Sequence, residues 1–177
     1  MPLIHIVTVS DRAHTGRAPD TAGPRALELL ADLLPDSRTE NSLVPDGVDS
    51  VRGAVQAARE AGADVVLTLG GTGVSPRDLT PEAMDGVIET ELPGVAELLR
   101  REGAAQTPTA ALSRGRAGII GRRAPADDGS GSVVHGQPTV VVNLPGSLRA
   151  VEQGIRLLAP LLDHLMNQLK GGDHDRH

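Results

Sequence analysis

The apolar run at residues 3–9 constrains the fold of this chain more than any other stretch. Aliphatic and β-branched residues leave it almost no polar face, which predicts a strand buried on both sides. Residues 63–69 and 139–142 read the same way, and 37–44 reads as a weaker strand. Helical spacing fills the intervals. Leu27, Leu30 and Leu34 share one face of a helix opened by Pro24, after a polar loop that runs to about Gly23. Val48, Val51, Val55 and Ala58 recur at helical spacing until Gly62. Thr80-Pro81-Glu82 predicts a helix start with a hydroxyl cap and proline in the first turn. Pro93-Gly94 interrupts, and residues 95–101 continue helically. Residues 116–120 predict a short strand and 122–137 an exposed, mobile loop. Leu148, Val151, Ile155, Leu158, Leu162 and Leu165 form the stripe of a long last helix, with a kink expected at Pro160.

Strands alternating with helices predict an α/β fold, a three-layer α/β/α sandwich around a mostly parallel sheet. One domain over residues 1–170 is expected, with a flexible tail at 171–177. Ligand loops should gather at the carboxyl ends of the strands. The loops at 10–17, 45–47, 70–78 and 143–147 qualify.

Composition removes several classes of function. The 177 residues include no Phe, Tyr or Trp, and the formal net charge is −6. Base stacking and phosphate-backbone binding are therefore disfavoured, and no nucleic-acid partner is expected. With no cysteine there are no disulfides, thiolate metal sites or cysteine nucleophiles. No apolar run is long enough to span a bilayer and the start lacks signal-peptide character, so a cytoplasmic protein is expected. Lys170 is the single lysine among 17 basic side chains, and the rest are arginine, whose planar fork suits phosphate and carboxylate. A GC-rich genome gives the same bias.

Chemistry concentrates after the strand at 63–69. There Gly70-Gly71-Thr72-Gly73 leads into Ser75, Arg77 and Asp78. Glycine turns let backbone N–H groups approach an anion. The spacing is neither a dinucleotide fingerprint nor a P-loop, and a tight turn without ligand is the competing reading. Asp46, between Pro45 and Gly47, either caps the following helix or pairs across neighbouring loops with Asp78. Asp78 could equally serve an ion pair with a nearby arginine. Two carboxylates facing a polyphosphate repel it unless a divalent cation intervenes, and magnesium is the hard ion that bridges such oxygens. That constellation suits nucleotidyl or phosphoryl transfer. Ser147, after Asn143-Leu144-Pro145-Gly146, opens the last helix, where free N–H groups favour an anion or the serine simply caps. Ser10, Asp11 and Arg12 lie at the same predicted edge, and Ser113-Arg114 is a further polar pair. No histidine falls in a metal-binding spacing, and no serine-hydrolase elbow is present.

Taken in order, several segments resemble the Mog/MoaB-type molybdenum-cofactor proteins and the gephyrin G domain. They are Thr8-Val9-Ser10-Asp11-Arg12, Pro45-Asp46, Thr68 to Gly73, Arg77-Asp78-Leu79-Thr80-Pro81-Glu82-Ala83, Pro108 to Arg114 and Asn143 to Ser147. The resemblance covers nearly the whole chain. It implies the Mog-like molybdopterin-binding fold. It also implies a molybdopterin adenylyltransferase, which moves AMP from ATP to the terminal phosphate of molybdopterin with magnesium and releases pyrophosphate. By the same resemblance Asp46 and Asp78 are catalytic, with Asp78 holding the metal and Asp46 assisting. Gly70 to Gly73 and Asn143 to Gly146 would bind nucleotide and pterin ligands. The resemblance further implies a homo-oligomer, trimeric or hexameric, with other molybdenum-cofactor enzymes as partners. A non-catalytic molybdopterin carrier and a nucleotide pyrophosphatase, as in competence-damage-type domains, are the alternatives on this fold. Residues 122–137 differ from many relatives and read as a lineage insertion.

Overall fold

The computed structural model describes residues 1–121 and 137–169. The tail at 171–177 and, apart from Gln137, the loop at 122–137 lie outside the described residues. In chain order the elements are β1 (Leu3–Val9), α1 (Asp11–His14), α2 (Ala22–Leu33), β2 (Arg38–Val44), α3 (Val48–Glu60) and β3 (Val65–Leu69). Then follow α4 (Thr80–Ala83), β4 (Thr90–Glu91), α5 (Pro93–Gln106), a 3₁₀ turn (Pro108–Leu112), β5 (Ala117–Ile120), β6 (Thr139–Leu144) and α6 (Leu148–Leu169).

One six-stranded sheet runs in the order β2-β1-β3-β6-β5-β4. β2, β1, β3 and β6 pair in parallel, whereas β5 runs antiparallel to both β6 and β4. Successive residues of a strand face opposite ways, so each central strand feeds two cores. Ile4, Ile6, Val65, Leu67, Val140 and Val142 pack with Leu29 and Leu30 of α2 and Val151, Ile155 and Leu158 of α6. Leu3, Val7, Val9, Val66 and Val141 pack instead with Val51 and Val55 of α3 and with Ala83 and Met84. The expected three layers are present. Both cores lack aromatic side chains and are built from Val, Leu, Ile and Ala with Met166 in one and Met84 in the other, and each fully buried branched side chain contributes about 1.5–3 kcal/mol.

Several boundaries differ from the sequence reading. Helix α2 starts at Ala22, ahead of Pro24, because the Asp20 carboxylate takes the Ala22 and Gly23 N–H groups at 3.1 and 3.0 Å. Pro24 still lies in the first turn, where no N–H partner is needed. Pro93 opens α5 rather than interrupting a helix. Part of the loop expected at 10–17 is helical, capped by the Ser10 hydroxyl. Asn143 and Leu144 belong to β6, not to the loop after it, since both are buried and pair with β3. Arg116 precedes β5. Leu148 is 44% exposed and leaves the buried stripe of α6, while that helix continues through Pro160 as one element. Thr80 does not cap α4: it is the first residue inside it, fully buried, and its hydroxyl donates to the Gly70 carbonyl at 2.9 Å.

Candidate active site

The loops that follow β1, β2, β3 and β6 surround a cleft of about 810 Å³ at the carboxyl edge of the parallel strands. Ser10, Asp11, Arg12, Asp46, Gly70, Gly71, Thr72, Gly73, Ser75, Asp78, Ser113, Pro145, Gly146 and Ser147 all line it. Of the residues expected to bind ligands, Arg114 and Asn143 do not.

The first wall is a reciprocal pair. The Asp11 N–H donates to Asp46 Oδ2 at 2.9 Å, and the Asp46 N–H donates to Asp11 Oδ1 at 3.1 Å. Asp46 is thus fixed to the β1 loop and is not the cap of α3, whose N-cap is Gly47. The floor is the glycine turn. Gly71 has φ +62°, and a β-carbon there would stand 2.4 Å from Thr80 Oγ1 and 3.5 Å from Asp46 Oδ1. The far wall is Asp78. Its Oδ2 accepts the Ser75 N–H at 2.8 Å and lies 2.8 Å from where a Gly73 β-carbon would be. The two aspartates therefore stand against two glycines of one turn. Asp78 makes no ion pair among the described residues. The neighbouring Arg77 reaches Asp11 instead, at 3.3 Å and largely in solvent.

The end wall is the start of α6. The Ser147 hydroxyl accepts the Ala150 N–H at 3.4 Å, so it caps while also lining the cleft. The positive end of this 22-residue helix points at the cavity. Among the described residues no group of three or more His, Cys, Asp or Glu is arranged to hold a metal.

Asn143 is a structural tie. Its Oδ1 accepts the Arg116 N–H at 3.1 Å and its Nδ2 donates to Thr68 Oγ1 at 3.0 Å, all inside the sheet. Arg114 is likewise engaged by protein atoms. It donates from Nε to the Gly73 carbonyl at 2.7 Å, from Nη2 to the Asp78 carbonyl at 2.5 Å, and to both oxygens of Glu82. That hydrogen bond holds the Glu82 carboxyl below the ordinary carboxylate range, against the upward pull of burial. Two more arginines grip the same segment. Arg52 donates to the Glu82, Ala83 and Asp85 carbonyls, and Arg116 to the Pro81 carbonyl and the Asp85 and Glu91 carboxylates. Glu82, Arg52 and Arg116 went unnoticed in the sequence as site supports, because their partners lie 25 to 35 positions away.

Fold and cleft together define an α/β protein with an open cleft at the carboxyl edge of its parallel strands, where two carboxylates flank a glycine turn. Residues 5–164 match the family described as a probable molybdopterin binding domain, and the chain belongs to that family. The molybdenum cofactor biosynthesis bifunctional protein of Synechococcus elongatus is 37% identical over 169 residues, covering 96% of this chain and 48% of that protein. The molybdopterin adenylyltransferase of Helicobacter pylori is 31% identical over 97% of this chain and 90% of its own length. A crystal structure of a molybdopterin biosynthesis protein from Mycobacterium abscessus has a TM-score of 0.81 at 37% identity, covering 96% of this chain and 97% of that one. The chain spans about half the length, or less, of several relatives it matches: 48%, 24% and 50%. No described helix is long and apolar enough to cross a membrane.

Proposed function

We propose that this chain is a molybdopterin adenylyltransferase: it transfers the adenylyl group of ATP to the terminal phosphate of molybdopterin and releases pyrophosphate. An oxygen of the molybdopterin phosphate attacks the α-phosphorus of ATP, and the bond from that phosphorus to the oxygen bridging to the β-phosphate breaks. Little covalent work falls to the protein in such a reaction, and positioning and charge stabilisation supply most of the rate. The Gly70 N–H is taken by the Leu144 carbonyl at 2.9 Å, so the amides of Gly71, Thr72 and Gly73 hold phosphate and stabilise charge in the transition state. The α6 N-terminus with Ser147 holds the second anion. Ser10, Asp11, Arg12, Ser75 and Ser113 line the walls between them.

The donor chemistry fits a magnesium ion, which takes one or two carboxylates and completes its shell with substrate phosphate and water. Asp78 would hold it with help from Asp46, and it would neutralise the triphosphate. Among the described residues the cleft offers these carboxylates and no histidine or sulfur donor. With no Phe, Tyr or Trp in the chain, the flat rings of both substrates rest on aliphatic side chains, backbone or arginine. On this reading residues 1–170 work as one domain, in the cytoplasm, in the homotrimer that the family resemblance implies.

The observation that carries the proposal is the convergence of Asp46 and Asp78 on neighbouring glycines of one turn. Its test is Asp78→Asn. Pyrophosphate release from ATP in the presence of molybdopterin should fall at least about 100-fold, the scale of losing one preorganised transition-state contact. Near-wild-type release by the purified, folded variant overturns the assignment.

A further inference from the structure

We infer that Arg114 is a positioning residue: its guanidinium, held by Glu82, pins both feet of the loop 74–77 and thereby fixes the carboxylate of Asp78. The inference rests on the activity proposed above, but its geometry does not depend on it.

The loop leaves the glycine turn at Gly73 and returns at Asp78. It projects from the molecule, with Val74 68% exposed. Within it, the Asp78 N–H meets the Ser75 carbonyl at 2.9 Å and the Ser75 N–H meets Asp78 Oδ2 at 2.8 Å. Those bonds close the loop on itself but do not attach it to the fold. Arg77 adds only a solvent-exposed pair with Asp11 at 3.3 Å, and Arg114 attaches the loop at both ends. Nε takes the Gly73 carbonyl, Nη2 takes the Asp78 carbonyl, and the Arg114 N–H donates to the Thr72 carbonyl at 2.8 Å. One planar fork therefore bridges the two ends of the loop. Glu82 lies in α4, four positions beyond Asp78, and receives the remaining face of the fork at both oxygens. The fork is thus oriented from behind by a carboxylate of the same segment it restrains. Lysine, with a single point of charge, cannot bridge two carbonyls and a carboxylate in this way. The guanidinium points its donors at protein, which separates this role from contact with a ligand.

The test compares R114K, E82Q and D78N, alone and combined, in the full chain. In R114K, kcat for adenylyl transfer should drop about 100-fold, the penalty typical of an ångström-scale misplacement, while KM for ATP stays within about twofold. In a D78N background R114K should add less than about twofold, because residues acting through one another are not additive. Amide hydrogen exchange at residues 74–78 should quicken in both R114K and E82Q while β1 and β3 keep their protection. Multiplying losses in the double variant, or a raised KM with kcat intact, overturn the inference and place Arg114 on the ligand. Unchanged exchange in the loop overturns it as well. If R114K does not fold, E82Q decides by the same readouts. If the wild-type protein shows no adenylyl transfer, the activity fails, and loop exchange alone decides the role of Arg114.

Discussion

Asp11 and Asp46 bind each other twice, each backbone N–H donating to the other's carboxylate across 35 positions of chain. The bonds join the loop after β1 to the loop after β2, and they leave Asp46 Oδ1 facing Gly71. Asp11→Ala removes the bond from the Asp46 N–H and keeps the backbone bond to the Asp46 carboxylate. Stability should drop by about 1–2 kcal/mol, read by urea unfolding, as expected for a charge-assisted hydrogen bond. The activity loss should exceed what that drop explains, because the loop carrying Asp46 keeps only one of its two ties to the β1 loop. Arg77→Ala, which breaks only the solvent-exposed pair with Asp11, should change stability by less than about 1 kcal/mol.

Gly71→Ala should be far more costly than its single added carbon suggests. The backbone is in the left-handed region and the new β-carbon would stand 2.4 Å from the buried Thr80 hydroxyl. Thermal unfolding should show a loss of about 1–3 kcal/mol, with the Thr80 bond to the Gly70 carbonyl broken. A variant as stable as the parent would mean that the turn relaxes freely and does not hold a fixed cradle.

Leu67→Ala tests the aliphatic core. Leu67 is fully buried at the centre of β3, between α2 and α6. The loss should be about 2–5 kcal/mol by equilibrium denaturation, since no neighbouring ring can swing in to fill the space.

Two groups contribute to the acid side of the stability curve. Burial lowers the pKa of His5 from its ordinary 6.5, with Glu40 pulling it back up. The unfolded chain then binds the proton first, so stability present above pH 6.5 is lost as pH falls toward the depressed folded value. Glu82, lowered from 4.5 by its bond to Arg114, acts in the same direction in a more acidic window. It contributes above pH 4.5, and that contribution fades as pH drops through its folded value. Denaturation at several pH values should show His5→Gln flattening the upper slope and Glu82→Gln the lower one. A parallel, unchanged slope in either variant would remove that residue from the account.

Much of this architecture was legible because it is local. The apolar run of β1 and the spacing of Val51, Val55 and Ala58 each state their own geometry, and the structure keeps them. The resemblance of the motifs to a known family carried the site further, and the loops that hold Asp46 and Asp78 do meet in one cleft. Thr80 was misread because a hydroxyl ahead of a proline is a good cap in isolation. Nothing nearby in sequence announces the Gly70 carbonyl that claims it. Asn143 looked like a loop residue for the same reason, since its partners Thr68 and Arg116 are 75 and 27 positions away. The arginine clamps on α4 were invisible at the sequence level. Sixteen arginines read equally as codon bias or as anion chemistry, and only the folded chain shows three of them closing on backbone carbonyls.

The absence of Phe, Tyr and Trp has an optical consequence. Lacking every indole and phenol, the protein is nearly silent in the near ultraviolet, where purines and pterins absorb and pterins emit. Any such ligand entering the cleft can be followed by its own spectrum, with no label attached and no protein chromophore to subtract.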